Sequence, residues 1–143
     1  MKLPNPHKAV VNIAKLRDYS LNLSHSVGGH KARVFKAALG LSVQQAEWLR
    51  ERALEIAITG EATPGPTLVF GDTYVIDAWI TYKDKTALVR FSWIVEFGTD
   101  FPRLTSCYVR LEIGLWMKFA RMTLLLYWSI VPMKDCVGAT LVP

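Results

Sequence analysis

One short stretch of the sequence concentrates side chains that could do acid–base and phosphate chemistry. Its members are two histidines, two cations and a glycine pair: His25, His30, Lys31, Arg33 and Gly28-Gly29. Cleavage of RNA by its own 2′-hydroxyl requires a general base, a general acid and cations that stabilise the phosphorane charge. Histidine suits the first two roles, and Arg and Lys suit the third. The stretch therefore predicts a metal-independent ribonuclease site, with His30, Lys31, Arg33 and His25 as the catalytic candidates.

Each of these residues also has a purely structural interpretation. His30 could be a hydrogen-bonding residue at a helix start, and His25 an exposed turn residue. Lys31 and Arg33 could be surface charges. Gly28-Gly29 could expose backbone N–H groups to an anion at a helix N-terminus, but the flanking pattern of a phosphate loop is missing. The sequence keeps both interpretations open, and the glycine pair stays a substrate-binding candidate.

Further candidates come from the strands later in the chain. Arg90 and Ser92 could approach the histidine stretch from a sheet and bind substrate there, together with Tyr108. Arg90 could instead pair with Asp77 across neighbouring strands. The aromatic side chains of the predicted strands are expected to pack in the core or on the sheet face rather than to stack on bases; these are Tyr74, Trp79 and Trp93.

The formal charge of +5 is distributed unevenly along the chain. Residues 1–53 carry nine Lys or Arg against three Asp or Glu, whereas residues 54–109 carry four against seven. A basic front half beside an acidic middle predicts an anionic partner such as RNA. The alternative is an ordinary solvated basic face.

Motifs for other functional classes are missing from the sequence. Cys107 and Cys136 form no CxxC pair and have no histidine nearby, so neither a metal site nor a cofactor is predicted. Met1–Pro6 lacks the apolar segment of a secretory signal. We therefore expect reduced thiols and a cytoplasmic location.

Three helices are predicted in the first sixty residues. Asn12 is a suitable N-cap for a helix over about 13–21. A second helix is predicted from Gly28 or Gly29 to Gly40, because glycine adopts the left-handed geometry of a helix end at little cost. Ser42 and Gln45 have the spacing of a capping box that starts a third helix.

The apolar period then falls to two, which predicts strands. The segment 61–66 contains two prolines and is expected to break regular structure, and Leu68–Phe70 could add an edge strand. The remaining strands are expected at Thr73–Tyr82, Thr86–Val95 and Arg103–Val109. Helices followed by a three- to four-stranded antiparallel meander indicate an α+β domain over residues 1–109, a layout also found in small metal-independent ribonuclease toxins.

Residues 110–143 form a different, strongly apolar tail. Its longest charge-free run, Met122–Met133, is too short for a membrane-spanning helix, so a buried or partner-facing helix, or an interfacial segment, is favoured. Oligomerisation through the tail, or a tail that is not native to the domain, also remains open. The tail supports a second hypothesis, in which the protein is a non-catalytic interaction module that binds a partner protein through its sheet edge or this tail.

Several sequence blocks from Leu3 to Tyr108 resemble an uncharacterised family of small bacterial domains of unknown function. The blocks are Leu3-Pro4-Asn5, Lys8-Ala9-Val10-Val11, Lys15-Leu16-Arg17-Asp18-Tyr19, His25 through Phe35, Tyr74-Val75-Ile76-Asp77, Val89 through Val95 and Pro102-Arg103-Leu104. Members resemble the cargo of toxin–antitoxin pairs and the ends of large secreted bacterial toxins. The resemblance implies a toxin-like role and a small cognate antitoxin-like protein as a possible partner.

Overall fold

The chain folds as an α+β domain, as the sequence predicts. The computed structural model describes residues 1–110, and the predicted apolar tail, apart from Arg110, lies outside the described residues. Within them, three helices precede a four-stranded antiparallel sheet.

Local capping interactions set the bounds of the helices. Helix α1, Ile13–Lys15, begins where the Asn12 side chain accepts a hydrogen bond from the Ala14 N–H at 2.9 Å, and it continues as a π-helical turn over Leu16–Ser20. Helix α2 spans Gly29–Leu39 and ends at Gly40, whose φ of 71° is left-handed. Helix α3, Ala46–Thr59, follows the 3-10 turn Val43–Gln45, where the predicted capping box between Ser42 and Gln45 forms. The predicted caps are confirmed.

The sheet is a simple meander in the order β1-β2-β3-β4. Its strands are β1, Ala62–Leu68; β2, Gly71–Tyr82; β3, Lys85–Glu96; and β4, Arg103–Val109. The long β2–β3 hairpin pairs Asp77 with Arg90, and β4 continues that row by pairing Arg90 with Tyr108. These three residues therefore lie side by side across the sheet.

The helices pack on one face of this sheet. Phe35 of α2, Leu49 of α3 and Phe91 of β3 are buried in the same hydrophobic cluster. The alternate residues of β2 point to the other side, where Asp77 and Trp79 are accessible to solvent. We call this side, which faces away from the helices, the outer face of the sheet.

Two segments differ from the expectation. The segment predicted to break regular structure is strand β1, which pairs with β2 across a bulge between Pro64 and Thr67. Prolines are compatible with an edge strand because one of its sides needs no ladder hydrogen bonds. Pro4 and Pro6 predict an extended lead-in over residues 3–9. It contains instead the 3-10 turn Pro6–Lys8, and Val10 then forms a parallel bridge with Arg103 of β4.

Candidate functional site

The turn before α2 is organised around His25. Its Nδ1 accepts hydrogen bonds from the N–H groups of Val27 at 3.1 Å and Gly28 at 2.9 Å. Its ring also packs edge-on against Tyr19, with the centroids 4.7 Å apart. The imidazole is half-buried, so the expectation of an exposed turn residue was wrong. His25 therefore bonds to the backbone of its own turn, as Asp, Asn, Ser and Thr side chains often do.

The glycine pair lets this turn approach its neighbours closely. A Cβ on Gly28 would lie 2.7 Å from the carbonyl oxygen of Tyr19, and one on Gly29 would lie 2.9 Å from that of Leu23. The Gly28 N–H is bonded to His25 Nδ1, and the Gly29 N–H donates to the His25 carbonyl at 2.9 Å. Both amide protons are therefore already used inside the turn, and the pair has a packing role there.

Helix α2 carries an unbalanced positive charge. It contains Lys31, Arg33 and Lys36 and no acidic residue, and His30 lies beside them in its first turn. His30, Arg33 and Lys36 are exposed, and Lys31 is half-buried. Within residues 1–110 none of the three cations forms a salt bridge. His30, Arg33 and Lys36 follow one another at intervals of three residues on one exposed side of α2, which we call the basic face of α2. Lys31 lies on a different side of the helix.

Lys31 reaches from α2 to the edge of the sheet. Its Nζ lies 5.1 Å from the ring centroid of Tyr108 in β4 and 5.9 Å from that of Tyr19. Both distances are within the range of cation–π attraction. Lys31 thus joins the His25–Tyr19 turn to the edge strand β4.

Next to Tyr108 on the outer face, Arg90, Asp77 and Arg110 form a charge cluster. Arg90 donates from Nε and Nη2 to the two oxygens of Asp77 at 2.8 and 2.9 Å, and Arg110 donates to Asp77 Oδ2 at 2.7 Å. The predicted pairing of Arg90 with Asp77 is confirmed. The hydrogen bond from Arg90, followed by that from Arg110, lowers the pKa of Asp77 despite its partial burial. The same pairing, with a smaller contribution from the Tyr108 hydroxyl, raises the pKa of Arg90.

The outer face also presents a free aromatic side chain. Trp79 lies on this face of the sheet, as one of the two expected placements, and its side chain is 59 % exposed rather than buried in the core. Trp93 is fully buried and Tyr74 packs against the core, as predicted. Ser92 is half-buried on the outer face opposite Ser106 of β4.

Other kinds of chemistry find little support in the part of the chain that the structure describes. Burial raises the pKa of the Cys107 thiol well above its ordinary value, which disfavours the nucleophilic thiolate. No group of three His, Cys, Asp or Glu side chains comes together among residues 1–110 in a way that could hold a metal ion. No helix in this range is both long and apolar enough to cross a membrane.

Several candidate residues thus lie next to one another in the structure, in a continuous series of contacts. His25 touches Tyr19, Lys31 lies near Tyr19 and Tyr108, and Tyr108 is paired with Arg90. His30 and Arg33 lie on the exposed side of α2 next to this series of contacts. Sequence reasoning missed Tyr19, Trp79 and Arg110 as members of the site. The alternation of β2 does place Trp79 on the same face as Asp77, which was the available signal.

These features define a small α+β domain in which a basic helix borders the edge of an antiparallel meander. The family model described as a domain of unknown function (DUF6883) matches residues 2–111, and the chain belongs to this family. No curated protein and no solved structure matches the chain significantly.

Proposed function

We propose that the domain is a metal-independent ribonuclease that acts as a toxin on cytoplasmic RNA. The observation that supports this function best is the basic face of α2, where the exposed imidazole of His30 shares one side of the helix with Arg33 and Lys36. A polyanion is attracted to a surface on which cations outnumber carboxylates. RNA bound there would bring a phosphate next to an imidazole that is accessible from solvent.

In the proposed reaction His30 is the general base. It takes the proton of a ribose 2′-hydroxyl, the 2′-oxygen bonds to phosphorus, and the bond from phosphorus to the 5′-oxygen breaks. The leaving 5′-oxygen takes a proton from water. Arg33, one turn from His30 on the same side of α2, stabilises the negative charge on the phosphorane, so the reaction needs no metal ion. Lys31 binds the RNA backbone beside Tyr108.

The remaining candidates support this site. His25 positions the start of α2 through its hydrogen bonds in the preceding turn, and Gly28-Gly29 allow the turn to pack closely. Tyr108 connects Lys31 with Arg90, so substrate binding extends onto the outer face toward Arg90 and Ser92.

RNA cleavage by the full chain in excess EDTA tests this function. His30→Ala is expected to lower the rate about 100-fold or more, the usual effect of losing a general base. His7→Ala is the matched control, because His7 is also exposed but lies in the 3-10 turn Pro6–Lys8, outside the proposed site. Undiminished cleavage by the His30 variant would refute the assignment of the base.

The toxin role has a separate test in cells. Induced expression of the full chain is expected to arrest growth, and His30→Ala is expected to relieve the arrest at equal protein level. A small cognate antitoxin-like protein is the partner expected to neutralise the wild type. Growth arrest that persists in the His30 variant would contradict a toxin role based on cleavage.

An alternative function is that of a non-catalytic module that binds a partner protein. The observation in its favour is an apolar patch at one end of the sheet, where Val69 is 95 %, Phe70 54 % and Phe97 60 % exposed. The Phe97 N–H donates to the Phe70 carbonyl at 2.9 Å, which holds the two turns together. Such patches mark interaction surfaces. If this alternative holds, Phe70→Ser with Phe97→Ser will abolish partner capture, while His30→Ala will leave it intact.

A further inference from the structure

The outer face of the sheet combines an exposed aromatic ring with arginines. Trp79 stands in β2 two residues from Asp77, a separation of about 7 Å along the strand. Asp77 is the neighbour of Arg90, and Arg90 is the neighbour of Tyr108 in β4. Lys31 then lies 5.1 Å from the Tyr108 ring at the sheet edge. Cations and aromatic rings thus follow one another from α2 across the sheet.

The charge along this row favours an anionic occupant. Lys31, Arg90 and Arg110 supply three positive charges, and Asp77 is the single carboxylate between them. Asp77 is bonded to both arginines, which orients their guanidinium groups at the surface. Arg90 and Asp77 each retain 27 % of their side-chain exposure, so the arginine remains accessible to a ligand.

We propose that the row Lys31, Tyr108, Arg90, Arg110 and Trp79 is a binding track for single-stranded RNA, with Trp79 stacking on an unpaired base. This inference rests on the proposed ribonuclease function and names its substrate class. Aromatic side chains bind single strands by stacking on bases of any sequence, and neighbouring cations follow the backbone. In a duplex the bases are already stacked and paired, so no base is free to stack on the Trp79 ring.

Binding is tested separately from cleavage by choosing an oligonucleotide that the reaction cannot cut. A fluorescent 2′-O-methyl single strand lacks the attacking hydroxyl, and its affinity for the full chain is read by anisotropy at one fixed salt concentration. The same strand annealed to its complement provides the duplex. Trp79→Ala is expected to weaken single-strand binding about tenfold, and Trp79→Phe is expected to retain most of the affinity.

Phe97→Ala is the matched control, since Phe97 is 60 % exposed but lies at the end of the sheet, away from the track. It is expected to bind like the wild type. Unchanged single-strand affinity in Trp79→Ala would overturn the track, as would equal losses for single strand and duplex. If the wild type still cleaves RNA in either case, the proposed function stands without the track. If the wild type neither binds nor cleaves RNA, the proposed function and this inference both fail.

Discussion

Asp77 and Arg90 face each other on neighbouring strands and form a bidentate ion pair. Both carboxylate oxygens of Asp77 accept from the guanidinium of Arg90, at 2.8 and 2.9 Å. Paired oxygens and paired N–H groups match the planar geometry of arginine and carboxylate, and each side chain stays 27 % exposed. This pair fixes the middle of the polar row on the outer face of the sheet.

Asp77→Asn is expected to destabilise the domain in a pH-dependent way. Arg90, followed by Arg110, holds the pKa of Asp77 below its ordinary value of 3.8. The stability that Asp77 contributes is therefore complete above the unfolded-state pKa and is lost as the pH falls through the folded-state pKa. We expect a loss of about 1 kcal/mol in the free energy of unfolding at about pH 7, which shrinks at about pH 3.

Urea unfolding at both pH values measures this effect. Asp84→Asn is the control, because Asp84 is exposed in the β2–β3 turn and forms no salt bridge with any described residue. A loss of equal size at both pH values would show that the charge of Asp77 is not the cause.

Gly28→Ala is expected to destabilise the turn before α2. The new Cβ would lie 2.7 Å from the Tyr19 carbonyl oxygen and 3.3 Å from Tyr19 Cδ1, and the backbone oxygen cannot move away without shifting the turn. We expect a cost of about 1–3 kcal/mol, measured as the change in the free energy of unfolding.

Gly40→Asn serves as the comparison for this substitution. Gly40 has φ 71° and no atom within 4 Å of an added Cβ, and asparagine tolerates the left-handed region. The Gly40 variant is expected to lose less stability than the Gly28 variant. The reverse order would mean that close packing against Tyr19 is not what requires glycine at position 28.

His25→Ala is expected to lower stability, because it leaves the Val27 and Gly28 N–H groups without their acceptor. The net contribution of an intramolecular hydrogen bond is about 1 kcal/mol, and we expect a loss of about that size. His25→Asn replaces the imidazole acceptor with an amide oxygen and is expected to recover part of this loss. Thermal unfolding of both variants gives the comparison.

Cleavage assays on the same two variants separate a positioning role from a catalytic one. If His25 only positions α2, the asparagine variant will retain more activity than the alanine variant, in parallel with its stability. Activity abolished equally in both variants, while the asparagine variant folds like the wild type, would show that the imidazole itself takes part in the reaction.

The Cys107 thiol is expected to resist alkylation in the folded protein. It is buried in β4, and burial raises its pKa well above the ordinary value, so the reactive thiolate is scarce. A Cys136→Ser variant lets the reaction of Cys107 be followed alone with iodoacetamide and mass spectrometry. Labelling should be slow in native buffer and fast in denaturant. Rapid native labelling would show that β4 opens readily.

Much of the fold is predictable because it depends on interactions between near neighbours in sequence. The Asn12 cap, the left-handed Gly40 and the Ser42–Gln45 box each involve residues within one helical turn. Strand β1 was missed because its two prolines disfavour a strand locally. Its pairing with β2 supplies the stabilisation that local preference lacks, and its edge position leaves room for the proline rings.

The candidate site was only partly predictable, because some of its contacts join residues that are far apart in the sequence. The ion pair of Arg90 and Asp77 follows from register in one hairpin. The contact between Lys31 and Tyr108 joins a helix to a strand far along the chain, and the pattern of apolar residues does not predict it. The accepting role of His25 depends on the path of the turn, which residue types alone do not specify.

By itself, the sequence determined the α+β class, the helix ends and the two faces of the hairpin. Caps and side-chain alternation are short-range properties of the backbone, so residue types at fixed spacings are sufficient to predict them. Only the tertiary structure decided that Lys31 lies near two tyrosine rings and that Trp79 is exposed on the outer face. Those arrangements depend on how α2 packs against β4 and on which sheet face the helices cover, which is set by the packing of the whole core.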